Sequence, residues 1–96
     1  MTVIGKINID WAAIHSEGDL YESALAQMAA PSWHGDNLDA LNDSWVTGGI
    51  CASGPPYAFQ FHNVSRIDPA MSAFAQSVME LARESVAENG GSVHAA

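Results

Sequence analysis

Residues 31–43 read PSWHGDNLDALND, and this segment decides how the rest of the chain is interpreted. An aromatic residue and a glycine lead into a short predicted helix, for which Asn37 is a suitable N-cap. The helix carries Asp39 and Asp43 one turn apart on one face, where like charges repel by roughly a few tenths of a kcal/mol. Such a pair contributes little to folding. The acidic pair instead indicates a surface that binds a positively charged partner.

The apolar residues of the same helix form a second, separate face. Leu38, Leu41 and Trp45 recur at the i, i+3, i+7 spacing that is typical of a buried stripe. The helix is predicted to end near Val46, before the glycine pair at positions 48 and 49. Packing and recognition are therefore predicted to use different faces of one helix.

Patterns on either side of this helix predict strands separated by helices. Ser16 is the predicted N-cap of the first helix, and Pro31 marks its end. The strands are predicted over Thr2–Ile9, Tyr57–His62 and Ser92–Ala96, and the first helix over about Glu17–Ala29. Asp68-Pro69 opens the last helix, which ends at Asn89-Gly90-Gly91 in the left-handed conformation. The core face of this last helix is predicted to consist of Met71, Phe74, Val78, Leu81 and Val86. This order predicts an α/β fold with parallel strands and helical crossovers, in one domain spanning residues 1–96.

The charge balance of the chain is strongly acidic. Eleven acidic residues stand against three basic ones, which gives a net charge of −8 over 96 residues. Asp36, Asp39 and Asp43 fall within eight positions of each other. Such a charge disfavours nucleic acid and anionic membranes as direct partners and favours a basic protein. The alternative interpretation is that a low pI only keeps a small protein soluble.

Cysteine usage and hydropathy predict a cytoplasmic protein. Cys51 is the only cysteine, so no disulfide can form within the chain. The N-terminus shows no signal-peptide pattern, and no apolar segment approaches the ~20 residues that a membrane span needs.

Catalytic and metal-binding interpretations have weak support in the sequence. Carboxylates on adjacent turns of one exposed helix do not flank a bound substrate as a glycosidase pair does. Cys51 with His62 would be a nucleophilic dyad without an evident orienting group. The four histidines, His15, His34, His62 and His94, show no metal-ligand spacing. We therefore expect no enzymatic activity, no cofactor and no metal.

From Asp19-Leu20 through Asp43 the chain resembles the barstar family. The likeness is densest over Gly35–Leu41, GDNLDAL, where the family reads GENLDAL or similar. The resemblance implies a three-stranded parallel sheet packed against three or four helices. It also implies a bacterial intracellular inhibitor of a basic, secreted ribonuclease, an immunity protein or antitoxin that is monomeric when free.

The resemblance also implies which residues contact the partner. In the family's ribonuclease inhibitor, the second helix and the loop before it plug the enzyme's active site, where carboxylates replace the RNA phosphate. By position, Asp43 would be the main plug and Asp39 would lie beside it. The other implied contacts are Trp33, His34, Gly35, Asn37, Leu38, Asn42, Val46, Thr47, Gly48 and Glu84.

The chain departs from the family pattern at several of these positions. Asn42 stands where a tryptophan is usual, His34 replaces a tyrosine, Gly48 stands where another aromatic residue is found, and Ser44 stands where a cysteine is common. Aromatic residues are enriched among interface hot spots. The alternative function is therefore an acidic interaction or regulatory domain of the same fold with a partner that is not a nuclease. Trp33 and His34 have a second interpretation, as anchors of the helix start.

Overall fold

The computed structural model describes residues 5–28, 30, 35–47 and 56–96, with only the backbone described at Thr47. Within these ranges the chain forms three parallel strands and three α-helices. The strands are β1 Gly5–Asp10, β2 Tyr57–His62 and β3 Gly91–Ala95, and the helices are α1 Glu17–Gln27, α2 Leu38–Asn42 and α3 Ser72–Asn89. The sheet order is β1-β2-β3, with both pairs parallel. The predicted α/β architecture with helical crossovers is confirmed.

One face of the sheet supplies much of the hydrophobic core. Ile7 and Ile9 of β1 pair in register with Phe59 and Phe61 of β2, and all four are at most 1% exposed. Tyr57 shares this buried face, as the alternation in β2 predicts. The positions that alternate with Ile7 and Ile9 in β1 point away from the core and are exposed. The predicted start of β1 at Thr2 lies outside the described residues, and the strand continues through Asp10.

Helix α1 begins at a side-chain cap and ends beside the sheet. Ser16 Oγ accepts from the Asp19 backbone N–H at 3.2 Å, and Asp19 Oδ2 accepts from the His15 N–H at 2.9 Å. The helix ends at Gln27, whose side-chain amide bonds both the N–H and the C=O of Asn8, each at 2.7 Å. Gln27 thus satisfies backbone groups at the outer edge of β1.

Helix α3 differs in detail from its predicted form. Asp68 and Pro69 open a 3₁₀ turn, Pro69–Met71, and the α-helix itself begins at Ser72. Of the predicted core face only Val78 is fully buried, while the other four residues flank the core; the buried positions are Ala75, Val78, Met79, Ala82 and Ser85. The small side chains at three of these positions allow the helix to approach its neighbours closely, and Met71, Phe74, Leu81 and Val86 lie at the edges of the contact.

Glycines shape the connection from α3 to β3. Gly90 caps the helix with φ +85° and ψ −170°, which is outside the left-handed helical region that the sequence predicted. At Gly91, φ is +101° and an added Cβ would lie 2.1 Å from the Tyr57 carbonyl oxygen. Only glycine fits this start of β3.

Side-chain contacts also join the carboxyl ends of β1 and β2. The Asp10 carboxylate accepts from the Asn63 side-chain amide at 2.7 Å and from the Ala12 N–H at 3.0 Å. These bonds, led by the one from Asn63, hold the pKa of Asp10 below its ordinary value. Among the described residues, no helix has both the length and the apolar character to cross a membrane.

Candidate functional site

The start of α2 is fixed by Asn37, as its sequence predicts. Asn37 has extended backbone angles, and its Oδ1 accepts from the Ala40 N–H at 2.8 Å. Its carbonyl also accepts from the Leu41 N–H at 3.1 Å. A cap of this kind satisfies N–H groups that the first turn of a helix otherwise leaves free. The acidic helix therefore begins at a defined residue.

Gly35 lies against this cap. A Cβ built on Gly35 would be 3.0 Å from Asn37 Nδ2 and 3.2 Å from Ala40 Cβ, both closer than ordinary side-chain contacts. The close approach explains why the smallest residue stands two positions before the N-cap.

Asp43 begins a π-helical turn, Asp43–Thr47, which we call the π turn. The predicted single helix is thus divided: α2 ends at Asn42 and a wider turn follows it. The Asp43 N–H donates to the carbonyls of both Asp39 and Ala40. Single π-helical turns are rare and occur frequently at functional sites. The carboxylate that the family resemblance marks as most important therefore stands where the helix geometry changes.

Two buried residues attach this segment to the core. Leu41 and Trp45 are both 0% exposed, which confirms the predicted stripe, and Leu38 is half-buried beside them. The Trp45 ring packs on Phe59 with centroids 4.7 Å apart. Its Nε1–H donates to Met28 Sδ at 3.1 Å. Asp39 and Asp43 are exposed, so the two faces of the segment separate as the sequence predicts.

The other end of the segment is held from α3. Asn89, the last residue of α3, is half-buried and donates its side-chain Nδ2–H₂ to the carbonyls of Trp45 at 3.2 Å and Val46 at 2.8 Å. Sequence reasoning placed Asn89 only at the end of a helix. No local pattern indicates this contact, because its partners are more than 40 positions away.

A groove between α2 and α3 brings together residues from both helices. Its volume is about 280 Å³, and its lining includes Asp39, Asn42 and Glu84, three of the residues predicted to contact the partner. Leu38 and Leu81 contribute apolar surface to the same groove, and Glu80 adds a carboxylate that sequence reasoning missed. Glu80 lies one helical turn before Glu84, so the spacing on α3 could have indicated it.

Ion pairs do not neutralise the carboxylates of this region in the described part of the chain. The chain's basic residues are Lys6, Arg66 and Arg83, and within the described ranges none forms an ion pair with Asp39, Asp43 or Glu84.

Tyr21 of α1 is a buried phenol with carboxylates nearby. Burial raises the pKa of its hydroxyl, and the charges of Glu17 and Asp36 raise that pKa further. Both effects keep this phenol neutral.

Some of the predicted contacts lie outside the described residues, namely Trp33, His34 and Gly48, together with the side chain of Thr47. Cys51 also lies there. Val46 is half-buried, and its carbonyl accepts from Asn89. The described histidines are exposed, and His62 contacts Asn8. In the ranges that the structure describes, no group of three His, Cys, Asp or Glu side chains is placed to hold a metal ion.

Comparison with known proteins places this arrangement in a family. The family model for Barstar (barnase inhibitor) matches residues 5–96, essentially the whole chain. The chain belongs to the barstar family. No curated protein matches it. Ribonuclease inhibition is the activity of this family, and the three-stranded parallel sheet with its helices is consistent with the barstar fold.

Proposed function

We propose that this protein binds a basic, barnase-type ribonuclease and closes its active site with the carboxylates of α2 and the π turn. The observation that carries the proposal is the placement of Asp39 and Asp43: both are exposed, and they stand on a segment whose start Asn37 fixes and whose end Asn89 holds. An inhibitor gains affinity when its charged groups are already in place, because less ordering is needed on binding.

Mimicry of the RNA phosphate is the proposed mechanism. A ribonuclease binds phosphate through cationic side chains, which form short charge-assisted hydrogen bonds with carboxylates as well. Asp43 enters the phosphate site of the enzyme. Gly35, Asn37 and Leu38, at the start of α2, contact the enzyme beside that site and exclude water from it. Trp33, His34, Thr47 and Gly48 complete the contact surface from the adjoining segments.

The groove between α2 and α3 receives a second basic side chain in this proposal. Asp39 and Glu84 offer carboxylates to an arginine or lysine head group, and Leu38 and Leu81 offer apolar surface to its alkyl stem. Asn42 lies in the same groove. The inhibitor acts as a free monomer in the cytoplasm, where it protects the producing cell from its own secreted nuclease.

Titration of barnase with the purified protein tests the proposal. We expect one equivalent to abolish RNA hydrolysis, and Asp43→Ala to weaken binding by about 2–5 kcal/mol because a desolvated charge pair is lost. Glu22→Ala is the control, since Glu22 is an exposed carboxylate on α1 that lines a different groove, beside Asn8 and Asp10. Undiminished barnase activity in the presence of excess protein would overturn the proposal.

A second candidate is an interaction domain whose partner is not a nuclease. The specific observation in its favour is Asn42, an amide in the groove at a position where the family pattern has an aromatic residue. This candidate predicts no inhibition of barnase.

A further inference from the structure

The Asn89 side chain connects the end of α3 to the end of the acidic segment. Its single amide nitrogen carries two hydrogens, and these reach two successive carbonyls, those of Trp45 and Val46. The last carbonyls of any helical segment lack partners within that segment. Asn89 supplies partners to two of them at the end of the π turn.

The π turn connects these carbonyls to Asp43. Asp43 is its first residue, and Trp45 and Val46 follow within one turn. The Asp43 N–H is bonded back to Asp39 and Ala40, so the backbone at Asp43 is held on one side by α2. On the other side, the bonds from Asn89 hold the backbone against α3. A change in the pitch of this turn would move the Asp43 carboxylate relative to Asp39.

We propose that Asn89 is a positioning residue for the inhibitory carboxylate: it holds the π turn in place and thereby sets where Asp43 projects. The proposal rests on the proposed function for its consequence in binding. Asn89 itself need not touch the nuclease. Its contribution differs from that of Leu41 or Trp45, whose buried side chains hold the fold as a whole.

Asn89→Leu is the first test, because leucine has nearly the same size but donates no hydrogen bond. We expect barnase affinity to fall about tenfold through faster dissociation, while association is unchanged because the net charge is the same. Gln76→Leu is the matched control: it removes an exposed amide of α3 that makes no hydrogen bond within the described residues. If Asn89 contributed only to stability, the folded Asn89→Leu protein would bind barnase with unchanged affinity, and that result would overturn the proposal.

Asn89→Asp separates positioning from charge. Added negative charge alone would speed association with a basic nuclease and tighten binding. A carboxylate facing two carbonyl oxygens would instead release the π turn, so the positioning role predicts weaker binding. In the Asp43→Ala background, the effect of Asn89→Leu on dissociation should disappear, because coupled residues are not additive. Tighter binding by Asn89→Asp, or additive effects with Asp43→Ala, would overturn the proposal.

Amide hydrogen exchange tests the same role without any nuclease. In Asn89→Leu, exchange at Asp43–Thr47 should accelerate about tenfold or more, while exchange in α1 stays as in the unchanged protein. Unaltered exchange in the π turn would overturn the positioning role, whatever the partner is. Failure of the unchanged protein to inhibit barnase would overturn the proposed function alone.

Discussion

Gly35 shows how a single small residue shapes the start of the acidic helix. A Cβ added at Gly35 would lie 3.0 Å from Asn37 Nδ2 and 3.2 Å from Ala40 Cβ, which is too close for an unstrained contact. Asn37 caps the helix with the same side chain, and Ala40 donates the capping N–H. Any larger residue at position 35 would therefore press on the cap.

Substitution of this glycine should be costly, whereas substitution of another should help. We expect Gly35→Ala to lower the free energy of unfolding by about 1–3 kcal/mol, as overpacking does. Gly18→Ala is the matched control: in α1 the nearest atom to an added Cβ is Ser16 Oγ at 3.7 Å, so alanine should stabilise by about 0.4–1 kcal/mol. Urea denaturation measures both. Equal effects would show that the Gly35 contacts yield without cost.

At the scale of elements, the segment from α2 through the π turn carries packing and recognition on separate faces. Leu41 and Trp45 are 0% exposed and join the core, while Asp39 and Asp43 are exposed to solvent. Like charges one turn apart repel slightly, so the fold does not need the acidic face. Stability and binding should therefore respond to different substitutions on this one segment.

Leu41→Ala should destabilise the protein without changing its recognition. We expect a loss of roughly 2–5 kcal/mol in the free energy of unfolding, from lost burial and a residual cavity. The folded fraction should still bind barnase with the affinity of the unchanged protein. Asp43→Ala should do the reverse, with stability unchanged or slightly higher. Denaturant melts paired with calorimetric titration check both variants.

One combination of results would show that the faces are assigned wrongly. In that combination, folded Leu41→Ala protein would fail to bind barnase, and Asp43→Ala would greatly lower the free energy of unfolding. Trp33→Ala extends the comparison to the segment before the helix: as a partner contact it should weaken binding at nearly normal stability, and as an anchor it should lower stability.

At the scale of the whole molecule, charge sets how a partner approaches. A net charge of −8 surrounds a surface on which Asp39, Asp43, Glu80 and Glu84 are all exposed. Fields of this kind can raise the rate of association with an opposite charge by about 10–10³-fold, and salt screens them. The Debye length falls from about 30 Å at 0.01 M salt to about 8 Å at 0.15 M.

Association with barnase should therefore be fast and sensitive to salt. We expect the association rate constant to fall at least about tenfold between about 0.01 and 0.15 M salt, with little change in dissociation. Stopped-flow fluorescence at several ionic strengths measures both rate constants. An association rate that does not depend on salt would mean that the acidic residues serve solubility only.

The sequence by itself determined the three strands, the three α-helices and their order along the chain. The caps at Ser16, Asn37 and Asp68 could be predicted because each bond spans two or three positions, and the stripe of Leu41 and Trp45 follows from helical periodicity. Strands separated by helices predicted the parallel sheet, since crossovers are short and follow fixed rules. The motif over Gly35–Leu41 indicates the family directly, because its residues are consecutive in the chain.

Only the tertiary structure decided how α3 meets the acidic segment. The buried face of α3 includes the small residues Ala75, Ala82 and Ser85, which a search for large apolar residues at helical spacing does not find. Glu84 joins Asp39 in one groove, and Asn89 reaches the carbonyls of Trp45 and Val46, across more than 40 positions of chain. Contacts over such separations have no local signal, because they depend on how whole helices settle against each other and the sheet.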